Sequence, residues 1–273
     1  MTSSPQWLRA FGLERAPFSK ELGDHELWVP SSRERVVDAI VDASHERGHV
    51  LLTGEPGVGK TCVLRAVRHR LPEAGFRLTY CHNATLGRRD FYRQLCLALG
   101  LNPKATAAAV FHEITRHVRE LSTERVHPVF LLDEAHLMQQ QVLDHLHILA
   151  NYEWDSAALL SLVLVGLPEL DHQLRLSKNR SLWSRIHTRV HLGEAAPEDT
   201  AEYIHHRLVG AGRAKGNDLF DSDALTILHE ATEGRLRAID RVATDALKRA
   251  ARRKLKRVDR QLVRRVLAEH DVD

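Results

Sequence analysis

The stretch LLTGEPGVGKTCVLRAV, residues 51–67, constrains this chain more than any other. An apolar run breaks at glycine, passes a short loop, and resumes with helical spacing. Gly54, Glu55, Pro56, Gly57, Val58, Gly59, Lys60 and Thr61 fit the spacing G-x-x-x-x-G-K-[ST] without exception. Glycines let consecutive backbone N–H groups turn toward one point, and a helix starting beside them adds its positive end, so the loop suits a phosphate. At this spacing Lys60 reaches β- and γ-phosphates, the Thr61 hydroxyl holds Mg²⁺, and Cys62 follows on the first turn of the helix. A bound ATP·Mg²⁺ is the expected cofactor. The loop does not say what the nucleotide is used for.

Around it, apolar strands alternate with helices. Residues 31–47 read as a Ser-capped helix, 49–53 as a strand, and 77–81, 128–133, 158–166 and 188–192 as further strands, with helical spacing between them. Such alternation implies right-handed crossovers and a parallel sheet sandwiched by helices, an α/β fold. Beyond Pro197 the strands stop, and three amphipathic segments follow, with Gly212 and Gly234 at helix ends. The expected organisation is an N-terminal arm (1–30), an α/β nucleotide-binding domain (31–196) and a small all-helical lid domain (197–273).

A second chemical element is VFLLDEAH, residues 129–136, where an apolar strand ends in two acids. Open parallel sheets bind ligands at the carboxyl ends of their strands. There Asp133 is suited to hold Mg²⁺, and Glu134 to polarise an attacking water. Arg180, Arg185 and Arg189 follow the fourth strand, where a guanidinium offered to a neighbour's γ-phosphate would spread developing charge. In TEGRLRAIDRV, Arg237 lies in the first turn of a helix beyond Gly234, placed to close a second domain on nucleotide, with Arg235 as competitor.

Three cysteines without close spacing give neither a disulfide framework nor a zinc knuckle. Of the 18 histidines, His145 and His147 lie two apart and His205 and His206 are adjacent. Neither pair has the i, i+4 spacing with carboxylates of a helix-borne zinc site, so no metal role is expected for them. No apolar run reaches the length of a bilayer span, and the first residues lack a secretory pattern, so a cytoplasmic protein without membrane contact is expected. The net charge of +3 hides an asymmetry: residues 248–265 hold ten Lys and Arg against one Asp, leaving −6 on the remainder. Either Asp259 caps a last helix whose Leu and Val pack inward, leaving arginines on a solvated face, or the segment meets DNA or a protein partner.

With these elements in this order the chain resembles AAA+ ATPases, and within them the TniB/TnsC (transposition regulator) and ExeA-like bacterial branch. The similarity runs from FGLERAPFSKEL (11–22) through GEPGVGKT, LLDEAH, LVLVGLPEL, SRIHTRVHL and YIHHRL to EGRLRAID. It implies a P-loop AAA+ fold with a five-stranded parallel sheet. It also implies that Phe11, Pro17 and Phe18 lie near the adenine, that Arg185 is the trans-acting finger, that Arg237 is the second-domain sensor, and that Asn83 restrains Glu134. One departure stands out. Where the family places a polar side chain after the fourth strand, LVLVGLPEL has Leu167, so Ser161 or another group substitutes, or hydrolysis is slow.

The resemblance implies two kinds of work. The ExeA type assembles envelope and secretion machinery and generally continues into membrane-spanning and wall-binding regions, which this sequence does not show. The TniB/TnsC type assembles with ATP on double-stranded DNA as a ring or filament and recruits or activates a transposase, with a targeting protein as a further partner. The second is the expectation here, in a bacterial, DNA-associated setting. By family position Arg88, Arg89, Arg93, Lys104 and Thr106 face the DNA, in a sequence-tolerant manner because no base-reading motif is present. A scaffold gated by nucleotide with negligible hydrolysis is the alternative that Leu167 keeps open.

Overall fold

The computed structural model describes residues 5–82, 85–102, 106–150, 157–213 and 219–270. The elements run α1 (Gln6–Ala10), α2 (Ser31–His45), β1 (His49–Thr53), α3 (Lys60–Arg70), β2 (Phe76–Cys81), α4 (Arg88–Ala98) and α5 (Ala107–Thr123). They continue with β3 (His127–Leu132), α6 (Gln140–Leu149), β4 (Ser161–Gly166), α7 (Glu169–Arg175), α8 (Arg180–Trp183) and β5 (Ile186–His191). Four helices close the chain: α9 (Pro197–Gly210), α10 (Ser222–Thr232), α11 (Leu236–Arg252) and α12 (Arg260–His270).

The five strands form one parallel sheet in the order β2-β3-β4-β1-β5. Position in the sheet explains sequence pattern. The central strands β1, β3 and β4 are buried along their whole length, which is why they read as unbroken apolar runs. The edge strands β2 and β5 mix buried and open positions and carry Arg, His and Tyr. Helix α5 is representative of the covering layer. The Thr106 hydroxyl accepts the Ala109 N–H as an N-cap, and Val110, Ile114, Val118 and Leu121 bury a single stripe.

Chain contacts divide the protein into two compact units. One comprises residues 31–55 and 60–192 and contains the sheet; the other gathers the residues before 31, the loop residues 56–59 and everything from 193 onward. Within this helical unit the N-terminal segment is core rather than a loose arm. Leu8, Phe11, Leu13, Phe18 and Trp28 are buried with Tyr203, Leu208, Ile239 and Val263. A buried Arg207 organises that packing: it donates to the carbonyls of Pro17 and Ser19, each at 2.6 Å, and to the Tyr203 hydroxyl at 3.2 Å. Tyr203 in turn donates to Asp240 at 2.7 Å. Burial raises the Asp240 carboxyl above its ordinary range, opposed by the Tyr203 hydrogen bond and the Arg207 charge. A charge is tolerated inside because each of its three guanidinium nitrogens has a carbonyl or hydroxyl to meet.

Helix ends depart from the expected glycine rule. Gly212 and Gly234 do take positive φ, but Arg47, Arg125 and Lys254 also occupy the left-handed position just past a helix. Each is followed by a residue whose N–H reaches back to the last turn: Gly48 to Ala43, Val126 to Leu121 and Leu255 to Ala250, at 2.7–2.9 Å. The bonded turn and a cation at the negative helix end offset the cost of a side chain at positive φ.

Candidate nucleotide site

The parallel sheet brings three strand ends together. Because β4 lies between β3 and β1, with Leu164 in register with both Leu132 and Leu51, residues 166–167 emerge between the glycine loop and the Asp-Glu pair. The Gly54 N–H donates to the Gly166 carbonyl at 3.2 Å, joining the loop's start to the end of β4.

Lys60, the first residue of α3, is buried, and its ammonium caps the carbonyls of Gly54 and Glu55 at 2.7 and 3.1 Å. Gly57 and Gly59 have φ of 84° and 104°, the region where a Cβ is strained. The fit to a triphosphate rests on this cradle: left-handed glycines, a cation folded back over the loop, and the start of an 11-residue helix. Thr61 is exposed at the helix start and Cys62 half-buried beside it. Lys60 and the N–H groups of residues 57–61 would hold phosphates, Thr61 and Asp133 the Mg²⁺, whose charge would screen the phosphate oxygens.

Asp133 is buried just past β3, its N–H donating to the Cys81 carbonyl at 2.8 Å. One carboxylate oxygen accepts the Tyr80 hydroxyl at 2.8 Å, the other the Glu134 N–H at 2.9 Å. Burial and the Asp133 hydrogen bond push the Tyr80 hydroxyl well above its ordinary pKa; since the residue is 45% exposed, the hydrogen bond is the more informative cause. Glu134 sits at φ 54°, ψ 33°, an uncommon conformation that aims its exposed carboxylate off the strand. Its carboxylate lies 3.6 Å from His136 Nδ1, which also accepts the Leu167 N–H at 3.4 Å. An exposed carboxylate next to Asp133, with an imidazole behind it, can accept a proton from water.

Ser161 does not replace the polar residue that Leu167 lacks. It opens β4, at the far end of the strand from Gly166, about 17 Å away at the usual rise. There it is buried and hydrogen-bonded to His127 Nε2 at 2.9 Å. His136 is the polar group at the end of β4. The sequence signal for His136 is its place closing the DEAH tetrapeptide. Tyr80 has none beyond its place near the end of the RLTYC strand, and only the register, which pairs it with Leu131, brings it to Asp133.

Among the arginines, Arg185 is half-buried and donates through Nη1 to the Ser181 carbonyl at 2.9 Å. Arg189 lies 3.6 Å from the Trp183 ring centroid and donates to the Trp183 carbonyl, so its guanidinium is engaged locally. Arg180 is exposed at the start of α8. In the helical unit, which includes loop residues 56–59, the Arg237 N–H donates to the Gly57 carbonyl at 3.3 Å. A Cβ on Gly57 would come within 2.9 Å of the Arg237 Cβ. Arg235 is paired with Glu233 at 2.6 Å. Phe11 and Phe18 are core side chains of the helical unit, and the Pro17 carbonyl is taken by Arg207. Arg88 and Arg89 are exposed at the start of α4, with Arg88 on His145; Arg93 is half-buried, and Thr106 is the α5 cap. Asn83 and Lys104 lie outside the described residues. Among the described residues no group of three or more His, Cys, Asp and Glu is placed to hold a metal ion, and no helix is long and apolar enough to cross a membrane.

The strand order, the loop after β1 and the acid pair after β3 together define a P-loop AAA+ fold of the ATPase type. A family model described as an AAA domain matches residues 42–174. The chain is 33% identical over 243 residues to general secretion pathway protein A of Aeromonas hydrophila, covering 87% of this chain and 43% of that protein. It spans less than half the length of the curated relatives it matches. Among solved structures, Drosophila ORC bound to DNA superposes with a TM-score of 0.67 at 21% identity, over 99% of this chain and 67% of that one. The Aeropyrum pernix ORC2 protein, in ADPNP–ADP complexes, gives 0.70 at 16%, over 94% and 72%. At those identities the likeness is one of fold. The chain thus has a P-loop AAA+ fold, carries a match to the AAA domain, and is similar to general secretion pathway protein A.

Proposed function

We propose that this protein is a slow ATPase that uses bound ATP to assemble with copies of itself on double-stranded DNA, and that the assembly recruits or activates a transposase. The observation that carries the nucleotide chemistry is the placement of Lys60 after β1 and of Asp133 and Glu134 after β3, at the same carboxyl edge of the sheet on either side of β4. Lys60 exchanges its loop carbonyls for phosphate oxygens, a stronger charge-assisted pairing. Asp133 would help to hold Mg²⁺, which would supply charge to screen the phosphate oxygens, while it orients the Glu134 N–H. Glu134 would take the proton of the attacking water. Leu167 contributes no side-chain donor or acceptor to orient that water, so turnover without partners should be well below the ~10 s⁻¹ of an ordinary enzyme. Arg185 completes a neighbour's site, and Arg237 reports on nucleotide within its own chain. Arg88, Arg89, Arg93, Lys104 and Thr106 are the expected DNA contacts, and a targeting protein is a further partner of a cytoplasmic, DNA-associated assembly.

A second reading has its own support. The 33% identity to general secretion pathway protein A favours assembly of secretion or envelope machinery, with the same ATP-gated switch. Negative-stain imaging with a slowly hydrolysed ATP analogue, with and without duplex DNA, separates the two. Rings or filaments that need both ligands support the DNA reading. Assemblies indifferent to duplex turn the choice to the secretion reading, and monomers throughout remove both. In the same assay Glu134→Gln should trap the ATP-bound assembly, whereas a pure scaffold would not respond. Arg185→Ala should abolish assembly-stimulated hydrolysis.

A further inference from the structure

We propose that the turn between α11 and α12, in the helical unit, is a clamp for the phosphate backbone of duplex DNA. Arg252, Arg253, Lys254, Lys256 and Arg257 are all exposed within six residues. Arg260 and Arg264 continue the cationic surface one helical turn apart on the open side of α12. The nearby acids are spent elsewhere. Asp245 pairs with Lys248, Glu269 with Arg249, and Asp259 accepts the Leu262 N–H at 2.8 Å as the α12 cap. Among the described residues no ion pair involves the turn itself.

The backbone that carries these cations is held from both sides. Lys254 takes the left-handed position, and Leu255 N–H returns to the Ala250 carbonyl at 2.9 Å. Four residues on, buried Val258 donates to the Leu219 carbonyl at 2.6 Å and accepts the Asp221 N–H at 3.1 Å, as an isolated β-bridge between Phe220 and Val258. A fixed turn loses little backbone freedom on binding, so its charge converts efficiently into affinity.

The chemistry favours a polynucleotide over an anionic membrane. A helix that lies in a bilayer interface keeps an apolar face for the lipid. Here Leu262, Val263 and Val266 of α12 are buried in the core of the helical unit, and Leu255 is the one large apolar residue the turn exposes. Arginines outnumber lysines, and the guanidinium fork matches phosphate oxygens in pairs. Phosphate contacts carry no sequence information, so the contact is sequence-tolerant.

The inference rests on the DNA reading above and adds a contact on the helical unit to those expected at Arg88 and Arg89, so the two fail differently. The test is binding of a fluorescent 30-base-pair duplex to full-length protein across a salt series, beside vesicles of phosphatidylserine and phosphatidylcholine. Arg253→Gln, Lys254→Gln, Lys256→Gln and Arg257→Gln combined should weaken duplex binding tenfold or more at 0.15 M salt. The combination should lower the slope of log affinity against log salt by roughly 3 to 4, since each phosphate contact contributes about 0.9. The charge-keeping Arg253→Lys, Arg257→Lys variant should retain most of the affinity, and thermal melting and basal ATP hydrolysis should stay at the wild-type level in both. Wild-type duplex affinity and slope in the quadruple variant overturn the proposal while leaving the DNA reading intact. A loss in an Arg88→Gln, Arg89→Gln variant alone has the same consequence. No duplex binding by the wild type removes both, and preference for the vesicles reassigns the turn to lipid.

Discussion

The two ends of the parallel sheet hold similar chemistry and use it in opposite ways. At the amino end, His49, His127 and Ser161 are all buried, and their polar atoms are consumed internally. His127 Nε2 meets the Ser161 hydroxyl at 2.9 Å, His49 Nδ1 accepts the Leu162 N–H at 3.1 Å, and Phe76 packs edge-on to His127. At the carboxyl end, Lys60 and Asp133 are equally buried, but their partners are backbone carbonyls and a hydroxyl that stronger ligands can displace. Strand direction explains the difference. Parallel strands all end on one side, and the loops leaving that side carry N–H groups and side chains outward. Buried polarity therefore marks a site only where its partners can be exchanged.

That contrast can be broken in order of effect. Lys60→Ala should weaken ATP binding by roughly a hundredfold or more, as loss of a buried charge-assisted contact does, with little change in melting temperature. Equilibrium binding of a fluorescent ATP analogue checks it. Replacing Leu167 by Gln supplies the missing polar group at the carboxyl end, and basal hydrolysis should rise by about tenfold, less than the ~10²–10⁴ of a general acid or base because an amide only orients the water. A steady-state phosphate-release assay that finds no change would instead leave the slow rate to His136 and Glu134.

The amino end should respond in stability alone. His127→Ala leaves the Ser161 hydroxyl without its partner and should cost roughly 1–3 kcal/mol of stability while ATP affinity is unchanged. The same histidine sets a pH dependence. Burial first, then Arg47 and His49, lower its pKa from 6.5 to about 4, so the fold holds it neutral. Its contribution is complete above pH 6.5 and is lost as pH falls toward 4, on the order of 3 kcal/mol at the limit. Denaturant melts of wild type and His127→Ala between pH 7 and pH 4 should converge on acidification. The smallest effect belongs to Tyr80→Phe. Freeing an Asp133 oxygen should shift Mg²⁺ dependence of hydrolysis by about two- to fivefold, the scale of one partly exposed hydrogen bond.

Chemistry carried by contiguous residues was legible before any coordinates. Phosphate binding needs glycines, a lysine and a hydroxyl at set spacing, and a parallel central strand needs an unbroken apolar run, so residues 54–61 and β1, β3 and β4 announce themselves. The short α1, α7 and α8 have no comparable periodicity and were not read. Position along a strand decided what pattern could not: Ser161 looked available to the site, and the register puts it at the wrong end.

The amino-acid order by itself determined a glycine-rich phosphate-loop pattern, an acid pair at a strand end, a parallel α/β sheet and a basic segment at residues 248–265, because each is a local pattern with a local physical cause. Only the tertiary structure decided which side chains meet. Tyr80 reaches Asp133 across 53 residues, Phe11 and Phe18 become core against helices some 190 residues later, and the Val258 bridge to Phe220 sets out the α11–α12 cations. Those pairings come from long-range burial and hydrogen-bond satisfaction, which no short window of sequence contains.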